Sequence, residues 1–184
     1  MNATTQTLEN AVRPARPRLM DRAGIWALVT ASMISNVGNG LTSLAIPWFV
    51  LVTTGSAART GLTGAVGAIA VVLAGLFGGT FVDRIGFKRA SIISDIASMI
   101  TIALVPALYL TDLLQFWMLL VLVFLGAILD VPGATARQAL VPRLAGQAKM
   151  TLERANSSMQ LATSLGTALI GPLVAGLLIG TLGA

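Results

Sequence analysis

The sequence predicts an all-α membrane protein, a bundle of five transmembrane helices. Three observations lead there. Of 184 residues, 55% are hydrophobic and only 10% charged, whereas a water-soluble domain carries about 25% charged residues. The mean hydropathy is +0.85. Five apolar stretches each reach the length of about 20 residues that a bilayer-crossing helix needs. The low charge also excludes a disordered chain, which needs high charge and low hydrophobicity. The chain has no Cys and no His. That removes disulfides, thiolate metal sites, cysteine nucleophiles, Ser–His catalysis and the commonest zinc ligand. Neither a metal nor a cofactor is expected.

A polar arm, residues 1–23, precedes the bundle at 24–184. The first span covers about 24–52 and carries polar residues along one side. The second, 61–82, contains no charge, and the third, 90–110, contains one acid, Asp95. The fourth starts near 113, is free of charge to 129, and continues past Asp130 to 140. The fifth, 155–182, is again uncharged. Pro47, Pro106, Pro132 and Pro172 fall inside spans, where neighbouring helices can satisfy the freed backbone groups. Barrel strands are excluded, because they would be about 10 residues long and alternate in polarity. The first apolar run is too long for a signal-peptide core and more spans follow it, so no cleaved leader is expected. The connections at 53–60, 83–89, 111–112 and 141–154 are too short for an extramembrane domain.

Charge sets the expected orientation. Arg13, Arg16, Arg18, Arg22, Arg84, Lys88, Arg89, Arg137, Arg143, Lys149 and Arg154 fall on one side, and Arg59 alone falls on the other. Cytoplasmic loops carry the excess of Lys and Arg. The N-terminus is therefore expected in the cytoplasm and the C-terminus of this chain outside, in a multi-pass cell-membrane protein. The net charge of +5 then reads as a topology signal, and no nucleic-acid partner is expected. The lipid bilayer is the partner, with headgroup attraction to the Arg-rich arm a further possibility. Trp48, Tyr109, Phe116 and Trp117 at outer span ends, and Trp26, Phe81 and Phe87 at inner ends, fit headgroup-level aromatic belts.

The loop after the second span reads GGTFVDRIGFKRA. Gly86 permits a tight turn. Asp83, at a span end, can face the positive end of a neighbouring helix. The basic residues can pair with acids on adjacent spans. An ordinary positive-inside loop is the plainer reading. The stretch resembles the cytoplasmic loop motif of the major facilitator superfamily, G-x-x-x-D-R/K-x-G-R/K-R/K. Gly79, Asp83, Arg84, Gly86 and Lys88 match; Phe87 stands where a basic residue is usual, and Arg89 follows it. SNVGNGLTSLAIPWFVL in the first span and DVPGATARQALV from Asp130 are similar to the exporter branch that contains macrolide and siderophore efflux proteins. LGTALIGPLVAG in the fifth span resembles the antiporter motif G-x-x-x-G-P-x-x-G-G. There Gly171, Pro172 and Gly176 match, while Thr167 and Ala175 replace glycines.

The resemblance implies a secondary active transporter that exports small drug-like or siderophore-like molecules, by proton antiport. It implies two six-span halves, each built from inverted three-span repeats, with the substrate cavity between them. The chain corresponds to the first five spans of the N-terminal half. It is accordingly expected to be a fragment that is inactive alone, whose partner is the missing C-terminal half. The alternative is a small non-transporting membrane subunit or assembly partner. An enzyme is not expected. Two membrane acids bring intramembrane aspartyl proteases to mind, but Ser94 precedes Asp95 and Leu129 precedes Asp130, where Tyr-Asp and Gly-x-Gly-Asp contexts would be needed.

Polar positions inside the spans are the remaining candidates. Ser32, Asn36, Asn39 and Ser43 share a helix face. Such a stripe faces protein or a water-filled cavity. Substrate contact through Asn36 and Asn39 and plain interhelical hydrogen bonding are both open. Asn156, Gln160, Thr163 and Thr167 share a face of the fifth span, with Gln160 a candidate cavity-lining residue. Small residues at Ser164, Ala168, Pro172, Gly176 and Gly180, and at Ala70, Ala74 and Gly78, are read as helix-packing rows. Asp95 and Asp130 are candidate charge-relay or proton sites. For Asp95, a pairing with Arg84, Lys88 or Arg89 is expected, with Ser91, Ser94 and Ser98 on the same face.

Overall fold

A chain in hydrocarbon has to satisfy every backbone N–H and C=O internally, and long uninterrupted helices do so. The computed structural model describes residues 19–182. Arg13, Arg16 and Arg18 of the arm lie outside the described residues. The helices are α1 (Leu19–Thr54), α2 (Ala57–Ile85), α3 (Phe87–Leu110), α4 (Phe116–Gln147), α5 (Leu152–Ser164) and α6 (Gly171–Leu182). A π-helical segment, Leu165–Ile170, joins α5 to α6. The last three form one rod, so five rods are long and apolar enough to cross a membrane.

The turns follow from local chemistry. Ser56 Oγ caps α2 by accepting the Arg59 amide at 3.3 Å. Between α2 and α3, Gly86 alone separates the helices. It sits at φ +88° and donates its N–H to the Val82 carbonyl at 2.8 Å, a left-handed conformation that suits glycine. The fourth connection is a correction to the sequence reading. Residues 141–154 were expected to be loop, but α4 runs to Gln147 and α5 begins at Leu152. Pro142 does not stop α4, because Val141 and Ala145 on either side of it are buried against α1 and α5. Tertiary packing outweighs the one backbone bond a proline removes.

The rods run up and down, and three apolar clusters tie their ends. Ile25 and Leu28 of α1 pack with Val141, Ala145, Ala148, Ala155 and Met159 at one end. Val82, Ala90 and Ala136 join α2, α3 and α4 near that end. Val50, Val105 and Leu119 join α1, α3 and α4 at the other. The main packing surfaces run between α4 and its neighbours α2 and α3, and between α1 and the fifth rod. The expected row Ala70, Ala74 and Gly78 is buried. A Cβ on Gly78 would lie 3.3 Å from Pro132 Cγ, so this row seats α2 on α4.

The fifth rod differs from the expected row. Ser164, Ala168, Gly176 and Gly180 are exposed and Pro172 is half-buried. The buried positions are Ala155, Met159, Ala162, Gly166, Gly171 and Ala175. The step of five from Gly166 to Gly171 coincides with the π segment. A wider turn there holds both glycines on α1, whereas a regular helix would have rotated one of them away. Gly40 of α1 completes the crossing. A Cβ on Gly40 would lie 2.6 Å from the Thr167 carbonyl oxygen, and one on Gly171 would lie 2.6 Å from Gly40 Cα.

Aromatic residues are exposed at both ends. Trp26, Phe81 and Phe87 mark one end, and Trp48, Tyr109 and Trp117 the other. At the second end Arg59 lies 5.3 Å from the centre of the Phe116 ring, and Phe49 meets Tyr109 edge to face at 5.0 Å.

Candidate functional site

Polar side chains from three rods meet inside the bundle. From α1 come Ser35 and Asn39, from α3 Asp95, and from α4 Asp130 and Arg137. Asn39 donates from Nδ2 to Asp130 Oδ2 at 2.9 Å. Arg137 Nη1 meets Asp95 Oδ1 at 2.5 Å. Ser35 bridges the pair: its hydroxyl donates to Asp95 Oδ1 at 3.3 Å and lies 3.2 Å from Arg137 Nη2. The Arg137 side chain is 4% exposed and that of Asp95 34%.

Local sequence explains why the cluster can form. Asp130 and Arg137 are seven residues apart, two turns along one face of α4. Gly133 lies between them on that face. A Cβ there would sit 2.9 Å from Ser94 Cβ and 3.5 Å from Arg137 Nη1. The missing side chain is the space through which the guanidinium reaches Asp95. Ser94 and Ser98, on the face of α3 that carries Asp95, are buried, and Ser98 donates to the Gly126 carbonyl at 3.3 Å. They serve the close seam between α3 and α4.

The Asp95 partner is a second correction. Arg84, Lys88 and Arg89 are all exposed, and among the described residues none is ion-paired with Asp95. Arg137 holds it instead. Sequence reasoning had placed Arg137 with the topology cations, and the structure moves it inside the bundle. The seven-residue spacing from Asp130 was the signal that could have found it. Asp83 is exposed as well, and no ion pair to it is seen among the described residues. Gly79 has nothing within 4 Å of a Cβ built on it, and neither has Gly86. The loop motif therefore forms an open corner of the bundle.

Asn36 has interhelical partners. Its Nδ2 donates to the Ser32 carbonyl at 2.7 Å and lies 3.4 Å from Thr163 Oγ1, and its Oδ1 accepts from Thr167 Oγ1 at 3.3 Å. It locks α1 to the fifth rod beside the glycine crossing. Ser43 is exposed and donates to the Gly40 carbonyl of its own helix at 2.7 Å. Gln160, with Gln138, Asn156, Ser157, Met159 and Thr163, lines an open cleft of about 300 Å³ between α4 and α5. Gly171 sits at the crossing, Pro172 is half-buried beside it, and Gly176 faces open space. No group of acids suited to a metal ion occurs among the described residues.

Five apolar rods around an internal acid–arginine–amide cluster define a multi-pass helical membrane protein. Residues 28–184 match the family model for the Major Facilitator Superfamily, and the chain belongs to that superfamily. It is 38% identical over 165 residues to the multidrug efflux pump Tap of Mycolicibacterium fortuitum, an alignment covering 88% of this chain and 40% of the relative. It is 31% identical over 169 residues to the pumps of the same name from Mycobacterium bovis strain BCG and Mycobacterium tuberculosis strain H37Rv, covering 90% of this chain and 40% of each relative. The chain thus spans about 40% of the length of these curated relatives. No solved structure matches it.

Proposed function

We propose that these five helices form the first part of an exporter of small drug-like molecules, coupled to protons by antiport, with Asp130 as the proton-carrying group. The observation that carries the reading is Asp130 itself, a carboxylate on a membrane rod, bonded at 2.9 Å to an amide of another rod. A carboxylate in hydrocarbon is costly and marks a proton or ion path by default. Asn39 suits both states, since its amide donates to the carboxylate and its carbonyl can accept from the protonated acid. Asp95 has a different role: with Arg137, 2.5 Å away, it forms a structural and gating pair. The superfamily and the efflux relatives supply the cargo class. The half-open cleft at Gln160 and the polar face of α1 form one wall of the path, and further helices corresponding to the remainder of the relatives close it. The chain alone moves no substrate. In the orientation expected from the charge bias the Arg22 end and the Asp83 loop face the cytoplasm, and Gly79, Asp83, Arg84, Gly86, Lys88 and Arg89 gate the cytoplasmic side.

A chimera tests this. Residues 1–184 replace the matching segment of the M. fortuitum pump in cells lacking other drug pumps, and ethidium efflux is followed by fluorescence. Efflux by the chimera, lost on Asp130→Asn at equal membrane abundance, supports the reading. An abundant chimera that exports nothing refutes the exporter role, and unchanged efflux with Asp130→Asn refutes the role of Asp130.

A further inference from the structure

A second cavity lies away from the polar cluster, at the end of the bundle where α1 begins. It has a volume of about 150 Å³ and is lined by Arg22, Trp26, Lys149, Met150, Thr151 and Arg154, with Ala148 at its floor. Arg22 of α1, Arg154 of the fifth rod and Lys149 of the turn between α4 and α5 converge on it, and its lining includes no acid among the described residues. Its base is firm: Ile25, Ala148 and Ala155 are each at most 1% exposed. Lys149 is set by the turn that ends α4. Its N–H donates to the Gly146 carbonyl at 3.2 Å and the Met150 N–H to the Ala145 carbonyl at 2.9 Å, with Lys149 at φ +49°. Trp26, 49% exposed, stands one turn deeper along α1 than Arg22. A tryptophan beneath a ring of cations at a rod end is the layout of a membrane–water interface, apolar wall below and charge at headgroup level.

We infer that this cavity is a binding site for the phosphate of an anionic phospholipid headgroup, with the acyl chains lying along Trp26. Three features favour a lipid over a free anion. The site opens at the end of rods of membrane-spanning length, its cations lie at the rod ends, and its inner wall is an exposed indole rather than a polar group. Cations scattered for topology alone would be spread along the rim, whereas these converge on one concavity. Basic pockets between membrane helices take anionic headgroups in this way.

The test is site-resolved lipid contact. Trp48→Phe and Trp117→Phe leave Trp26 as the sole tryptophan in the full chain, which is reconstituted in phosphatidylcholine bilayers. Brominated phosphatidylglycerol and brominated phosphatidylcholine are compared as quenchers at equal mole fraction. Phosphatidylglycerol should quench Trp26 more strongly. Its enrichment should fall about 5-fold with Arg22→Gln and again with Arg154→Gln, the effect of one surface cation on anionic lipid. Arg84→Gln with Lys88→Gln, at the same end but outside the cavity, should leave the enrichment unchanged. Equal quenching by the two lipids overturns the proposal, and this comparison holds even where a charge variant fails to fold. Enrichment equally sensitive to Arg84 and Lys88 also overturns it, showing diffuse attraction. Enrichment abolished by inorganic phosphate, but not by chloride of equal ionic strength, overturns the lipid in favour of a free-anion site.

Discussion

Arginine keeps its charge in every environment a protein offers, so a nearly buried Arg137 depends on the anion beside it. Removing only that anion strands the guanidinium. Breaking a buried pair from one side costs about 3–5 kcal/mol, and the partial exposure of Asp95 puts the expected loss for Asp95→Asn near the lower end, about 3 kcal/mol. Arg137→Gln in the same chain should restore much of that loss, because neither partner then carries an uncompensated charge. Thermal unfolding of the two single variants and the double variant in detergent measures the coupling. Additive losses would show that the pair is incidental. Asp95 and Asp130 were both legible in the sequence as acids in apolar runs. The partner of Asp95 was not, because Arg137 follows four small or polar residues and borders a proline-containing stretch that reads as loop. Only the placement of α4 against α3 shows that Gly133 opens a way between them.

At the scale of elements, the fifth rod turns on its π segment. Gly171→Ala places a methyl group 2.6–2.7 Å from the α1 backbone at Gly40 and Leu41, and backbone atoms have little room to yield. Overpacking of this kind costs about 1–3 kcal/mol, so Gly171→Ala should lower the melting temperature by several degrees and reduce yield. Gly176→Ala meets nothing within 4 Å and should stay within about 0.5 kcal/mol of the parent. Equal effects of the two would contradict the crossing. Gly86→Ala tests the α2–α3 turn: with φ at +88° and ψ at 144°, an added Cβ should cost about 1–3 kcal/mol, again read by melting temperature. The helical rods themselves were readable, since unbroken apolar length is a coarse signal that survives prolines. The packing phase of the fifth rod was not. A period of four picks Ser164, Ala168 and Gly176, and nothing in the residues announces the extra residue that a π turn accommodates. The interhelical role of Asn36 likewise depends on the fifth rod bringing Thr163 and Thr167 to it.

For the whole molecule, the basic residues separate by end. Arg22, Arg84, Lys88, Arg89, Arg143, Lys149 and Arg154 lie at or near the end marked by Trp26 and Phe87, and Arg59 lies at the end marked by Trp48 and Trp117. With Arg137 moved inside the bundle the bias remains strong. Cysteines placed at Lys88 and Arg59 should therefore differ in labelling by an impermeant maleimide on intact cells: Arg59→Cys reacts from outside and Lys88→Cys only after permeabilisation. The reverse pattern would invert the topology. Apolar length made the five rods legible in the sequence, while the proposed coupling chemistry rests on a meeting of three rods that is seen only in the assembled bundle. The most direct test of that chemistry is proton movement by the chimera in liposomes containing a pH-sensitive dye. With the parent sequence, a drug gradient should drive an opposing proton flux. With Asp130→Asn, downhill drug flux should continue while the proton flux falls to the level of protein-free liposomes. Proton flux at the parent rate in Asp130→Asn would contradict the account.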